Sequence, residues 1–386
     1  MDTWWRNPKE LDSDQRAVIA LPPDGSFLVK GPPGSGKTNL LLLRANYLTI
    51  NEHPNLTVVV FNRTLREFIR AGAENYNFSP DRIVTLRQML DTLLSEANVE
   101  HDVKEDFHAD RVSRLAAVND VFEMGREPIY DVILLDESQD YLADELRLFK
   151  RLSHHIFLVA DSRQQIYAGG SKPDLMEDLV DKVLSLRYHY RNGQPICDVA
   201  DAIGATFSMG YDPIGPTCNY NSPKLKPSVE VEQRDLDAQI GIIAERLKVQ
   251  LRTYPGELLG VICPRNVDLK KIAVGLEAKG LGPDLCVQQR DEGYQPIEPT
   301  KSIWVSSVHS AKGLEFRAVH FACAEYVSQF GPEQKRLAYT GVTRAKTSLS
   351  IFHDGVLPAY FDSAVNRFRI STPGHVEIGA AFGPKR

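Results

Sequence analysis

The apolar run Phe27-Leu28-Val29 stops at GPPGSGKT (31–38), and the helix-forming stretch TNLLLLRANYL follows at once. Few local patterns constrain a fold so tightly. The GxxxxGK[ST] spacing of Gly31, Gly36, Lys37 and Thr38, with Gly34 between them, lets the backbone curl until its N–H groups face phosphate oxygens. The helix that begins near Lys37 points its positive end at the same anion. Lys37 is then expected to neutralise the β- and γ-phosphates of ATP, and the Thr38 hydroxyl to hold Mg²⁺. An accidental glycine-rich turn is the bland alternative, and the strand upstream and helix downstream argue against it.

A second apolar run, Tyr130-Asp131-Val132-Ile133-Leu134-Leu135, ends in Asp136-Glu137. It is too short for a helix and suits a central parallel strand buried on both faces, whose carboxyl end is where an α/β sheet presents ligands. Asp136 is placed to hold Mg²⁺ through water, and Glu137 to orient or deprotonate an attacking water. A lone Asp-Glu pair is commonly an exposed strand end; beside a phosphate loop it gains a role.

DESQD (136–140), HSAKGLEF (309–316) and LAYTGVTRAK (337–346) appear in that order along the chain. Together they resemble the UvrD/Rep/PcrA group of superfamily-1 DNA helicases. Leu11-Asp12-Ser13-Asp14-Gln15 resembles the family's adenine-reading segment, and Val58 to Arg63 its first DNA-contacting strand and loop. Ile83-Val84-Thr85 is similar to the next DNA segment, Leu158 to Tyr167 to the coupling segment, and His189-Tyr190-Arg191 to the nucleotide-contacting one. The resemblance implies that Gln15 bonds adenine, Tyr190 stacks on it, Glu315 touches the ribose and Gln164 senses the γ-phosphate. It implies too that Arg191 and Arg344 act as arginine fingers when two domains close. Phe61, Asn62, Thr85 and His309 would line the path of a single DNA strand, and the family direction would be 3′ to 5′. Read singly, Phe61 could equally be core packing and Thr85 a helix cap.

With 386 residues the chain has room for two cores. The expected fold class is α/β: two RecA-like domains with mostly parallel sheets, residues 1–185 and 186–386, and a nucleotide cleft between them. In the second half, strands are expected at Leu258–Cys263, Ile303–Val308, Val319–Ala324 and Ser348–Phe352. The apolar residues Leu236, Ile240, Ile243, Leu247 and Leu251 follow helical spacing. The stretch from Tyr211 to Pro227 reads as a loop inside the second domain. Five scattered cysteines without CxxC spacing indicate neither zinc nor an iron–sulfur cluster, and suit a reduced cytoplasmic setting. No signal peptide or apolar run near 18 residues is evident, so no membrane partner is expected. A net charge of −6 argues against a basic general DNA coat, although a charged groove along the strand path is compatible with it. Trp4-Trp5 are expected to pack beneath the nucleotide site.

The departures from the family also carry expectations. Only 50 residues separate Thr85 from Asp136 and 117 separate Arg191 from His309, where larger relatives insert accessory domains. About 40 residues follow Arg344, without a nuclease motif. Such a compact core is expected to hydrolyse ATP more dependably than it unwinds duplex alone. Beside an autonomous helicase stands the alternative of an ATPase switch in a bacterial defence or repair complex, with a separate nuclease as partner. After Tyr167 the family offers an aromatic and an arginine; here Ala168-Gly169-Gly170 follow, which implies a weaker grip on the strand. Asn39 likewise stands where relatives often have arginine.

Overall fold

The computed structural model describes residues 10–369 except 52, 72–76, 123–126, 168, 208–210, 223–224, 289–297, 299 and 329; Trp4-Trp5 and Ala168 lie outside the described residues. The first sheet contains β1 (Phe27–Lys30), β2 (Leu56–Val60), β3 (Ile83–Thr85), β4 (Tyr130–Leu135), β5 (Ser153–Ala160) and β6 (Lys182–Ser185). Its order is β3-β2-β4-β5-β1-β6, with every pairing parallel. Alternation along the strands sends Val29, Val58, Val60, Leu134 and Val159 into one apolar layer. Leu28, Val59, Ile133, Leu135 and Leu158 enter the layer on the other face. Both faces are covered by helices, which is why these strands read as unbroken apolar runs rather than alternating ones.

The strand order decides where chemistry can occur. Because β5 lies between β4 and β1, the loops leaving the carboxyl ends of all three are neighbours, and a parallel sheet binds ligands at that edge. GPPGSGKT leaves β1, Asp136-Glu137 leave β4, and Asp161 to Gln164 leave β5.

The second sheet is again wholly parallel, in the order β7-β12-β11-β8-β10-β9. Its strands are β7 (Ser228–Gln233), β8 (Leu259–Cys263), β9 (Leu285–Gln288), β10 (Ile303–Ser307), β11 (Phe316–Phe321) and β12 (Ala345–His353). Four of these fall where the sequence places strands. The edge strands β7 and β9 were not anticipated: SVEVEQ is mostly polar and LCVQ only four residues long. The helix Leu236–Thr253 starts at Asp235, whose carboxylate accepts from Ala238 N at 2.8 Å, and it buries Ile240, Ile243 and Leu247 against the sheet. Between Tyr211 and Pro227 the described backbone forms one short turn, Gly215–Thr217, tied down by the Asp201 carboxylate that accepts from Ile214 N and Gly215 N at 2.8 Å each.

The two sheets meet through apolar contacts beside the cleft. Phe68 sets its ring edge-on to Trp304, with centroids 6.3 Å apart. At Gly313 (φ 84°) a Cβ would lie 2.7 Å from Leu65 Cδ2, so the chain of the second half passes here without room for a side chain. Trp304 is 1% exposed on β10 and its loss leaves a large cavity. Trp304→Ala is expected to lower unfolding free energy by about 3–5 kcal/mol, measured by urea denaturation.

Candidate nucleotide site and nucleic-acid interface

Gly34 and Gly36 hold φ values of 72° and 85°, in the region that favours glycine. At Gly34 a Cβ would also lie 2.3 Å from Arg191 Cβ, so glycine is needed both for the turn and for the approach of Arg191. Gly36 caps the helix Lys37–Ile50 without a side chain, which leaves first-turn N–H groups for an anion. Lys37 Nζ donates to Gly31 O at 2.9 Å and Pro32 O at 2.8 Å, and burial pushes its pKa down.

Thr38 Oγ1 donates to Asp136 Oδ2 at 3.0 Å, across the end of β5. Burial, reinforced by the neighbouring Glu137 charge, raises Asp136 to about 7. Glu137 behaves oppositely. Burial alone pushes it up, but the positive charges of Lys312, Lys37 and Arg344 outweigh burial and hold it below the usual carboxylate range. Adjacent acids driven apart in this way are a frequent basis for distinct chemical roles. Glu137 has φ 51°, a costly conformation for a residue with a Cβ, and its carboxylate accepts from Gln139 Nε2 at 2.6 Å.

At the other end of the cleft, Gln15 donates through Nε2 to Ser35 O at 2.9 Å, while Asp12 and Gln15 close a capping box on the helix Ser13–Ile19. The Tyr190 hydroxyl donates to the Asp12 carboxylate, and Tyr190 N donates to Gly34 O at 3.0 Å. Arg191 Nε lies 2.8 Å from Glu315 Oε2, and Lys346 Nζ 2.6 Å from Glu315 Oε1. Although burial opposes it, Lys346 and Arg191 bring the Glu315 carboxyl down to about 2. Arg344 donates to Gln164 Oε1 at 2.9 Å and to the carbonyls of Leu314 and Thr340 at 3.0 Å each; burial, with Arg191 nearby, lowers it to about 9. Of the residues expected at the nucleotide, all but Gly31 and Asp136 line one cleft between the two sheets. Those two sit directly behind it, on Lys37 and Thr38.

One residue that sequence reasoning passed over holds the cleft together. Lys312, inside HSAKGLEF, is 1% exposed and places Nζ on the Asp140 carboxylate, 2.6 Å from Gln164 O and 3.5 Å from Glu137 Oε2. Burial raises Asp140 to about 6 even with this cation beside it. The signal was available: Lys312 stands in a segment already singled out, and DESQD holds a third acid without an assigned task.

A second cleft, ≈ 450 Å³, brings together Phe61, Asn62, Thr85 and His309, the four residues expected along a DNA strand. Thr85 is also the cap of the helix Leu86–Glu96, its hydroxyl accepting from Gln88 N at 3.3 Å, and Phe61 packs edge-on to Tyr141, so the bland readings hold beside the placement in the cleft. Asn62 spends its amide on structure: Nδ2 donates to Lys312 O at 2.8 Å, and Oδ1 accepts from Leu65 N at 2.7 Å. The Tyr167 ring centroid lies 4.4 Å from that of Phe61, 5.7 Å from His309 and 6.4 Å from Phe107. Arg111 sits 5.2 Å over Phe61. Phe107 and Arg111 both come from the helix Phe107–Val121, which local sequence gave no reason to place here. Four arginines and two aspartates line the cleft, and three of the arginines are already paired: Arg111 with Glu145, Arg114 with Asp91 and Asp110, and Arg87 with Asp91.

Fold and sites together define a P-loop enzyme built from two RecA-like domains with a nucleotide cleft between them. An AAA domain matches residues 14–170, and the UvrD-like helicase C-terminal domain matches residues 302–352. The UvrD-like match in the second half is consistent with the resemblance to the UvrD/Rep/PcrA group of superfamily-1 helicases, and the two domains point to an ATP-hydrolysing enzyme. Among solved structures, the C-terminal domain of a possible DNA helicase from Lactobacillus plantarum is 19% identical over 47% of this chain and 96% of that one, with a TM-score of 0.35. The PRRSV helicase is 16% identical over 88% of this chain and 54% of that one, with a TM-score of 0.42. No curated protein matches the chain. No helix among the described residues is long and apolar enough to cross a membrane.

The Glu315 carboxyl falls from an ordinary 4.5 to about 2 on folding, so its ion pairs stabilise the fold fully above about pH 4.5 and are lost as pH falls towards 2. The contribution is at most about 3 kcal/mol. Urea unfolding of Glu315→Gln between pH 2 and 7 is expected to show a shallower loss of stability on the acid side than the parent protein.

Proposed function

We propose that this protein is an ATP-dependent DNA translocase and helicase of the UvrD type, moving 3′ to 5′ on a single strand by closing and opening the cleft between its two domains. The observation that carries the reading is the position of Gln164. Its side chain accepts from Arg344, its main-chain oxygen accepts from Lys312, and three residues later Tyr167 stands in the aromatic cleft. A change at the γ-phosphate that moves Gln164 thus displaces the ring that would stack on a base. The polarity comes from the family resemblance.

In this reading Gly31, Gly34 and Gly36 shape the loop that binds the phosphates, Lys37 neutralises them, and Gln15 and Tyr190 hold the adenine. Arg191 and Arg344 offset charge on the transferred phosphoryl group, an effect worth about 10³–10⁵ in rate for an arginine finger, and Glu315 orients Arg191 and the ribose. Glu137, kept ionised by three cations, accepts the proton of the attacking water. The hard oxygen donors Thr38 Oγ1 and Asp136 Oδ2 suit Mg²⁺, which when bound neutralises the phosphate oxygens. Phe61, Tyr167 and His309 offer ring faces to the strand, Asn62 and Thr85 line its path, and the arginines draw its phosphates.

Lys37→Ala is expected to abolish ATP turnover with the fold retained. Glu137→Gln should still bind ATP while turning over about 10²–10⁴ times more slowly; unchanged turnover would assign the water to another group. Both are read from phosphate release with and without single-stranded DNA. In the same assay a fluorescent duplex with a 3′ overhang should release its strand and one with a 5′ overhang should not. Stimulation without release would favour a switch subunit that works with a partner; no stimulation by DNA would sink the motor reading. Tyr167→Ala should weaken single-strand binding by about 1–3 kcal/mol, measured by fluorescence anisotropy, with basal ATPase little changed.

A further inference from the structure

The linear spacing of the cysteines gives no hint of a metal, yet the fold gathers two of them against a histidine. His189 lies in the extended segment just before Tyr190, Cys197 on the helix Gln194–Gly204, and Cys218 in the loop after Gly215–Thr217. A lone backbone bridge pairs His189 with Cys218, and one ligand atom from each of the three residues lies within 4.8 Å of the others. From these positions we propose that His189, Cys197 and Cys218 bind a thiophilic divalent cation of the zinc class, outside the nucleotide site and independent of the helicase reading.

The geometry and the donor chemistry both fit. In a tetrahedral zinc site with bonds of about 2.0–2.3 Å, neighbouring ligand atoms stand roughly 3.5 Å apart. Cys197 Sγ is 3.6 Å from His189 Nε2. The main-chain oxygen of Asn192 lies 3.4 Å from Cys197 Sγ and 3.2 Å from Cys218 Sγ, so an oxygen already faces the space between the sulfurs and can complete the fourth position. Two thiols and an imidazole select zinc over the Mg²⁺ that hard oxygens hold at Thr38 and Asp136. Binding displaces the two thiol protons and replaces the hydrogen bond between His189 Nε2 and Ile214 O. His189 and Cys197 are fully buried while Cys218 is half-buried, which gives the ion a way in. Binding through Nε2 leaves the ring proton on Nδ1.

The placement gives the ion a purpose. Tyr190 and Arg191 follow His189 directly, and Asn192 Nδ2 donates to Thr343 O and Ala345 O, on either side of Arg344. A metal that fixes His189 and the Asn192 carbonyl therefore fixes the segment that carries the expected adenine-stacking ring and Arg191 and, through the Asn192 amide, the turn that carries Arg344.

The test titrates zinc chloride into the full chain, reduced with a phosphine and free of nucleotide and Mg²⁺, with native mass spectrometry for stoichiometry and Co²⁺ as an optical probe. Expected are one ion per chain, a thiolate-to-cobalt absorption band and a rise in thermal unfolding temperature, all lost in Cys218→Ser and Cys197→Ser and kept in Cys286→Ser. Because Cys197 is fully buried and its variant could misfold, Cys218→Ser, checked by circular dichroism, carries the decision. A chain that takes up no zinc, or one whose zinc and cobalt signals survive Cys218→Ser, overturns the proposal.

Discussion

Three acids and one lysine set the terms on which the two halves of this protein meet. Asp136, Glu137 and Asp140 leave β4 within five residues of one another and are all buried, so their charges cannot be met by water. Lys312 is the cation that reaches Glu137 and Asp140 from the other half, and it too is buried. A buried pair like this adds little net stability over an apolar contact, but removing one partner strands the other and costs several kcal/mol. The contact therefore favours, over other approaches of the second sheet to the first, the register that puts Lys312 on Asp140.

From that register the other cross-cleft contacts follow. The main-chain oxygen of Lys312 accepts from Asn62, at the mouth of the aromatic cleft, while its ammonium donates to the carbonyl of Gln164. Gln164 in turn accepts from Arg344, whose guanidinium is otherwise held by carbonyls of its own half. The nucleotide cleft and the aromatic cleft therefore share supports rather than merely lying close. The short turn Ser162–Gln164 leading to Tyr167 touches both clefts, since Gln164 lines the first and Tyr167 the second.

What could be read from the sequence divides along a physical line. The phosphate loop, the acids after β4 and most strands are legible because short-range rules fix them: glycine spacing, apolar run length, alternation and capping. Residues whose role depends on a distant partner are not. Lys312 reads as one more lysine until Asp140 appears beside it, and Cys197 and Cys218 read as scattered until a backbone bridge carries His189 to them. Thr85 illustrates a residue with two simultaneous meanings, since the geometry that caps a helix also leaves it on the wall of a cleft. The edge strands β7 and β9 escaped for a related reason, because an edge needs only one apolar neighbour and so leaves a weak pattern.

The apparent gap after Tyr167 shows how far a tertiary neighbour can stand in for a local one. Local sequence offers Gly169-Gly170 where an aromatic and an arginine are expected, and by composition alone the grip on a strand is diminished. The helix Phe107–Val121 brings an aromatic to Tyr167 and an arginine to Phe61 from the opposite wall. Gly170 also has reason to be small, for a Cβ there would meet Gln139 O at 2.3 Å. A bulky residue at that point would push on the loop that follows Glu137. The helix thus adds a ring and a guanidinium to the wall of the aromatic cleft from an element that can carry them without disturbing the acids.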